Sequence, residues 1–447
     1  MTKDLEYVSG WGGNPKARTR LVIGSTVADL RQVLLAEHEG SRGVIARGLG
    51  RSYGDAAQRS GGTTLEIVRS GEPEWVDRSA GVVRSPAGVS IGELIRFADA
   101  EGFFVPVTPG TRYVTIGGAI AADIHGKDHH SVGSFGKHVV SFRLLMANGD
   151  IVDVDPTSDL ELFNATIGGM GLTGIILDAD LRLSPVSGNR LDVDLFRTND
   201  LQATMDALTG AETSHRYSVA WVDMAGGGSA MGRGVVTNGN HTDVRDSGQT
   251  LREPILGVPP IWRIGLVNKL SVMAFNEVWF RKAPAKPKQV AQSYDSFFYP
   301  LDVVRDWNRV YGRGGFLQYQ FVLPFRSETL LPRLMGSLAT GPSPVALAVL
   351  KRFGPESDGY LSFPLAGWTL AADIPIPRAP SHLEARLRSI DEILVSAGGR
   401  VYLAKDSRLG ADLLPEMYPK LIHFTEVRDR VDPGRLFQSD LAARLRL

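Results

Sequence analysis

The chain predicts an α+β fold in two domains, the second built on an antiparallel sheet. Its 447 residues exceed the size at which one hydrophobic core keeps growing. Helical and strand-like periodicities alternate over the first part, with glycine loops after the strands. From about Leu191 the texture changes to aromatic-rich strand candidates separated by glycine and proline turns.

Taken in order, the apolar run Leu21 to Ile23 leads through Ser25 and Thr26 into a helix, because Val27, Leu30, Val33 and Leu34 keep helical spacing up to Gly40. GVIARG reads as the next strand. The pattern recurs as GVVRSP, a helix opened by the Ser90 and Glu93 capping box, and FFVPV after Gly102, so two β-α-β passes are expected. Their glycine loops, Gly48 to Gly54 and Pro109 to Gly126, fall at the carboxyl ends of strands, where ligands of α/β folds sit. Gly110, Gly117, Gly118 and Gly126 fit either a pyrophosphate cradle or a glycine-rich turn in a tight sheet. SVAWVDM, GFLQYQFVLP, LAVLKRFG and LSFPLAGWTLAAD read as strands of the second domain. Between Met224 and Lys288, MAGGGSAMGRG and TNGNHTDVRDSGQT read as an irregular insert with mobile loops. From about Gly399 the α/β character returns, and this end is expected to rejoin the first domain. The expected divisions are 1–187, 188–398 and 399–447.

Composition narrows the chemistry. Lysine plus arginine and aspartate plus glutamate balance at 49 each, which removes the electrostatic case for nucleic acid. With no cysteine, disulfides, thiolate metal sites, iron–sulfur clusters and cysteine nucleophiles are excluded, and redox work needs an organic cofactor. The first twenty residues lack the apolar stretch of a signal peptide, and no apolar run reaches membrane-spanning length, so the cytoplasm is the expected location.

Individual motifs discriminate further. ARGLGRSYGD begins like a dinucleotide fingerprint, but Tyr53 stands where its third glycine belongs. GGMGLTGII fits that fingerprint through Gly169, Gly171 and Gly174, yet a helix precedes it and a strand follows, the reverse of the required context. His125, His129, His130 and His138 invite a metal reading, but glycines on both sides and the want of a third ligand favour a polar cofactor or substrate pocket lined by them; no metal is expected.

In this order and spacing, the glycine segments resemble the vanillyl-alcohol-oxidase, or PCMH, type of FAD-binding domain over Ala46 to Leu183. The resemblance implies that FAD is held in the first loop by Ala46, Arg47, Gly48, Leu49, Gly50, Arg51, Ser52, Tyr53, Gly54 and Asp55. In the second loop it implies Gly110, Thr115, Ile116, Gly117, Gly118, Ala122, Asp123, Ile124 and His125, joined by Gly171, Ile175 and Tyr402. Members that link FAD covalently place a histidine before the Ser-aromatic pair of the first loop. Here Arg51 precedes Ser52 and Tyr53, which implies noncovalent FAD.

A second resemblance covers nearly the whole chain. ARGLGRSYGD, DIHGKDHHSVGSFGKHV, FNEVWFRKAP, FLQYQFVLP, LSFPLAGW, YLAKDSR and the ending around DPGRLFQSDLAARL are similar to the decaprenylphosphoryl-ribose oxidase family of actinobacterial cell-wall synthesis. It implies oxidation of the 2'-hydroxyl of a polyprenyl-phosphate ribose, a partner NADH-dependent keto-reductase, and net epimerisation to an arabinose donor for arabinan. It also permits work at the membrane or in the periplasm. A soluble alditol or sugar-lactone oxidase on the same fold is the alternative.

By matching motif, Lys405 is the leading catalytic residue, as a base if its pKa is lowered and otherwise as a group that orients or stabilises the alkoxide; an ion pair with Asp406 is its ordinary role. His125 would lie near the flavin ring. Tyr53, Gln318, Gln320, Lys351 and Thr369 would contact substrate, with Trp221 and Tyr299 as apolar walls. Many family members carry a cysteine in the strand matching GWTLAAD that nitroaromatic inhibitors attack; Ala371 stands there, so covalent inactivation should fail. Between Pro259 and Lys282, Trp262, Leu266, Met273, Phe275 and Trp279 alternate with Arg263, Lys269, Arg281 and Lys282, which suits either a lid on a membrane surface or core packing.

Overall fold

The computed structural model describes residues 5–40, 42–225, 230–246, 250–254, 256–259 and 265–447. Of the residues singled out above, Trp262 and Arg263, and residues 226–229 and 247–249 of the two polar stretches, lie outside them.

Two main sheets form the amino-terminal half among the described residues. In the first, strands Lys16–Gly24 and Val44–Arg47 both pair in parallel with Thr63–Ile67, and Glu6–Ser9 adds an antiparallel edge. Helix Val27–Gly40 makes the crossover and buries Leu30 and Leu34. The second sheet runs in the order Glu74–Asp77, Val82–Pro86, Ile175–Arg182, Val139–Leu145, Ile151–Val154, and every pair in it is antiparallel. This corrects the second β-α-β pass. Helix Ile91–Asp99 forms with its complete capping box, but FFVPV supplies only Phe103–Phe104, which pairs with Ser184–Pro185 rather than beside Val82–Pro86. Pro106 has no amide hydrogen to extend the ladder.

An eight-stranded sheet dominates the rest, in the order Lys288–Ser293, Arg190–Thr198, Gly234–His241, Tyr217–Val222, Leu347–Phe353, Gly367–Pro375, Phe316–Pro324, Arg400–Val401, antiparallel throughout. TNGNH was expected in an irregular insert; it belongs to Gly234–His241, paired on both sides. Its polarity is absorbed inside the sheet: Ser218 Oγ donates to Asn238 Oδ1 at 2.7 Å, and Gly239 leaves room for the Phe297 ring. LSFPLAGWTLAAD begins its strand only at Gly367.

The carboxyl-terminal segment serves both parts. Arg400–Val401 edges the large sheet, which the expected division at 399 had excluded. Beyond it the chain returns to the first sheet, where Val44 N donates to Leu436 O and Gln438 N donates to Val44 O, each at 2.9 Å. One contiguous apolar cluster joins the halves, with Phe142, Phe163, Phe298, Phe321 and Phe424 all buried in it. At roughly 1.5–3 kcal/mol for each large apolar side chain buried, this shared core holds the cavity walls in fixed relation.

Candidate active site

A cavity of about 710 Å³ lies where the amino-terminal loops meet one face of the large sheet. Its cofactor-like end is built from the two glycine loops. They touch: a Cβ on Gly48 would overlap Thr115 Oγ1. Thr115 is held there because it caps helix Ile116–Ala121, accepting from Gly118 N at 3.2 Å. Gly50 takes φ +64°, a left-handed conformation that glycine adopts without strain. Gly110, by contrast, faces open space on the cavity side. Two loops of small residues in mutual contact, facing a cavity of this volume, fit a dinucleotide-sized cofactor with a pyrophosphate waist.

The sheet face supplies the reactive end. Alternation along the strands sends Gln318 and Gln320, Lys351, and Ala371 to the same side. Register sets Ala371 beside both Gln320 and Val349, and Asp373 beside Gln318. Lys405 Nζ donates to Gln318 Oε1, whose Nε2 donates to Asp373 Oδ1 at 2.5 Å, and the Tyr53 ring lies 4.6 Å from Nζ. Burial lowers Lys405 to about 8 against the opposing pull of Asp373, and burial raises Asp373 to about 6. Asp406 is not the partner of Lys405; it takes Arg444 at 2.9 Å. Above the sheet, His125 lies between Gln320 and Lys351, at 2.9 and 3.0 Å. Burial together with Lys351 and Lys405 pushes its pKa well below the usual histidine value, so the ring is neutral. Tyr402 donates to the Ala122 carbonyl at 2.8 Å and closes the wall between loop and sheet. The far end of the cavity is apolar, lined by Trp221, Phe275, Trp279, Phe297 and Phe298.

The sequence pattern of the FAD binding domain family matches residues 19–155, and that of D-arabinono-1,4-lactone oxidase matches residues 371–445. The decaprenylphosphoryl-beta-D-ribose oxidase of Mycolicibacterium smegmatis is 39% identical over 98% of this chain and 97% of its own length. The chain belongs to that oxidase family. It is an FAD-dependent oxidoreductase acting on a CH–OH group, on the two-domain fold of the vanillyl-alcohol-oxidase type. An uncharacterised protein of Streptomyces coelicolor is 40% identical over 77% of this chain and 96% of its own. The D-arabinono-1,4-lactone oxidase of Eremothecium gossypii is 26% identical over 39% of this chain and 34% of its own, so the sugar-lactone oxidases are only distant relatives.

Among residues expected at an oxidase site, the first-loop positions 46 to 53, together with Gly110, Thr115, Gly117, Gly118, Ala122, Ile124, His125, Gly171, Ile175 and Tyr402, line the cavity. Trp221, Gln318, Gln320, Lys351, Ala371 and Lys405 line it too. Six others do not. Asp55 pairs with Arg444 at 2.9 Å, which anchors the loop to the carboxyl-terminal helix, and Gly54 packs so closely on Asp406 O that a Cβ would overlap it, which anchors the loop to the turn after Val401. Ile116 is core. Asp123, fully buried, accepts from Ser134 Oγ at 2.8 Å and Gly136 N at 2.7 Å and shapes the loop from behind. Tyr299 is not a wall: its hydroxyl bonds Thr108 at 2.6 Å inside the core, and Phe297 and Phe298 hold the wall instead. Thr369 is fully buried behind Gln320. Of the four histidines only His125 faces the cavity. Gly354 N donates to His129 Nδ1, His130 Nε2 lies 3.0 Å from the His215 carbonyl, and His138 Nε2 lies 3.1 Å from that of Val132.

Asp373 and Lys127 were missed. Strand alternation offered the first, since Asp373 shares a face with Thr369 and Ala371. Lys127 lies beside the cavity, donates to the Phe297 carbonyl, and is lowered to about 7 by burial. Nothing in its sequence surroundings separates it from a surface lysine.

Proposed function

We propose that this protein oxidises the 2'-hydroxyl of decaprenylphosphoryl-β-D-ribose to the 2'-keto sugar, the first half of an epimerisation to the arabinose donor of cell-wall arabinan. The observation that carries this reading is the two-ended cavity. A head lined by Lys405, Gln318 and His125 suits a sugar carbinol, and the aromatic extension toward helix Lys269–Lys282 suits a prenyl chain.

Bound FAD would supply the hydride-accepting chemistry. The two glycine loops and Tyr402 would hold it noncovalently, because Arg51 occupies the place of the linking histidine and its guanidinium is stacked 3.8 Å over the Trp11 ring. The residues of this chain do the rest. Gln318 and the Tyr53 ring hold the Lys405 ammonium toward the head of the cavity, where it stabilises a developing alkoxide. His125 positions the sugar ring beside it. The keto product suits an NADH-dependent reductase as the next enzyme of the pair.

A peripheral membrane seat accounts for the substrate's delivery. Among the described residues no helix is long and apolar enough to cross a membrane. Helix Lys269–Lys282 nevertheless turns Leu270 and Val278 outward, 79% and 68% exposed, alongside Lys269, Arg281 and Lys282.

The test is anaerobic mixing of FAD-loaded protein with polyprenyl-phosphoryl ribose, free ribose and simple alditols, following oxidised-flavin absorbance. Bleaching by the lipid sugar alone is expected; bleaching only by free polyols would transfer the chain to the sugar-oxidase reading.

A further inference from the structure

We propose that Lys351 takes the substrate's hydroxyl proton, and that Thr369 is a positioning residue which, through Gln320 and His125, holds Lys351 as the uncharged amine. This deepens the oxidase reading and rests on it.

Hydrogen-bond donors fix the arrangement. The Thr369 hydroxyl donates to the Phe321 carbonyl at 2.8 Å, so its oxygen is left to accept from Gln320 Nε2 at 3.0 Å. The same Nε2 lies 2.9 Å from His125 Nε2. With both amide hydrogens so directed, His125 Nε2 is an acceptor, and a neutral imidazole then carries its proton on Nδ1. That Nδ1–H meets Lys351 Nζ at 3.0 Å. An ammonium has no lone pair to receive it, whereas an amine does. The amine's own hydrogens still reach the Gly126 carbonyl at 3.1 Å. Turning the Gln320 amide over would set its Oε1 against the Thr369 oxygen, whose only hydrogen is already given to the Phe321 carbonyl, acceptor against acceptor.

Electrostatics agree with this arrangement. Burial, then the charges of Lys405 and Lys127, lower Lys351 to about 7. Asp128 faces the same cluster with Arg216 and opposes that shift, but burial raises its own carboxyl to about 7 and weakens that opposition. His129, lowered to about 3 mainly by burial, adds no charge. Lys405 and Lys351 therefore divide the work. Lys405, linked through Gln318 to Asp373, keeps its proton at neutral pH and faces the oxygen as a cation. Lys351 is the amine, and its one lone pair passes to the substrate's proton when His125 Nδ1–H turns from it to the Gly126 carbonyl, which lies beside both groups.

In the step, the carbinol O–H and C–H bonds break and a C=O bond forms. The proton goes to Lys351 Nζ, and the hydride, with both electrons, goes to oxidised FAD.

The first measurement needs no substrate. FAD-loaded protein labelled with 15N-histidine, with His125 assigned by its loss in His125→Gln, is expected to show protonated Nδ1 and bare Nε2. A bare Nδ1 in the unsubstituted protein overturns the proposal. In Thr369→Val the hydroxyl is lost with little change of shape, Gln320 is freed to turn, and the tautomer is expected to reverse. The second measurement is the pH profile of flavin reduction by the lipid sugar. Its acid limb is expected near pH 7, because the rate rises as Lys351 loses its proton. Thr369→Val is expected to move that limb upward by about one unit, roughly tenfold in rate on the acid side, and Thr369→Ser to restore it. Lys351→Met is expected to slow reduction by about 10²- to 10⁴-fold. An acid limb unmoved in Thr369→Val, or a Lys351→Met rate within threefold of the unsubstituted protein, overturns the assignment. If the lipid sugar fails to bleach the flavin while the tautomer is as stated, the substrate reading falls instead, and the limb is read on the polyol that does bleach it.

Discussion

Lys405 and Asp373 illustrate how a buried pair sets a working pH. Asp373 titrates near 6, so above that pH its carboxylate holds Lys405 higher than burial alone would. Asp373→Asn removes the charge yet leaves an oxygen to accept from Gln318, so the Lys405 pKa should fall below about 8 and the alkaline limb of flavin reduction should move to lower pH. Stopped-flow reduction across neutral to alkaline pH reads this directly, and an unmoved limb would separate Asp373 from Lys405. Lys405→Met should slow reduction by at least about 10²-fold in the same assay. Ala371, on the cavity wall between Gln320 and Val349, has no nucleophile. Intact mass after turnover with a nitroaromatic inhibitor should therefore show no adduct, whereas Ala371→Cys should gain one. Lys405, Gln318 and Ala371, but not Asp373, were legible in the sequence through matching motifs. Their partners were not, since contacts such as Lys405 with Gln318 join positions 87 residues apart that only the folded sheet brings together.

Local chemistry made some elements readable and others not. Helix Ile91–Asp99 follows from its capping box, because Ser90 and Glu93 satisfy amides within four residues of each other. Gly234–His241 was unreadable for the opposite reason: TNGNH carries turn residues, and only cross-strand partners such as Ser218 make it a strand. The glycine loops were read as a cradle or a tight turn, and they are close-packed as well as open. Gly48 is pressed against Thr115 while Gly110 faces the cavity. Gly48→Ala should thus push the loops apart. Overpacking of this kind is worth roughly 1–3 kcal/mol, so FAD affinity should fall by about five- to 150-fold, read by titration of apoprotein with FAD. Gly110→Ala, which meets nothing of the protein within 4 Å, should bear on FAD only through its own volume in the cavity. Equal FAD affinity in Gly48→Ala would mean that the loop contact does not shape the site.

At the scale of the molecule, helix Lys269–Lys282 packs one face into the domain, and the membrane reading of its other face is a proposal to be tested. Val272, Asn276 and Phe280 are buried, and Asn276 Nδ2 donates to Asp223 Oδ1 at 2.7 Å, so one face is fastened to the domain. Phe275 and Trp279, ring planes 9° apart, border the cavity, while Leu270 and Val278 point away from the protein. We propose that this helix, fastened on one face and carrying exposed Leu270 and Val278 on the other with Lys269, Arg281 and Lys282 beside them, is an interfacial element. Replacing Leu270 and Val278 together by aspartate tests this without touching the buried face. Sedimentation with anionic vesicles should drop, and flavin reduction by vesicle-borne lipid sugar should slow by about tenfold or more. Reduction by a short-chain, water-soluble phosphoryl ribose should not change, because neither side chain borders the cavity. Equal slowing with both substrates would instead show that the outward face supports the cavity wall, and the membrane seat would have to be sought elsewhere.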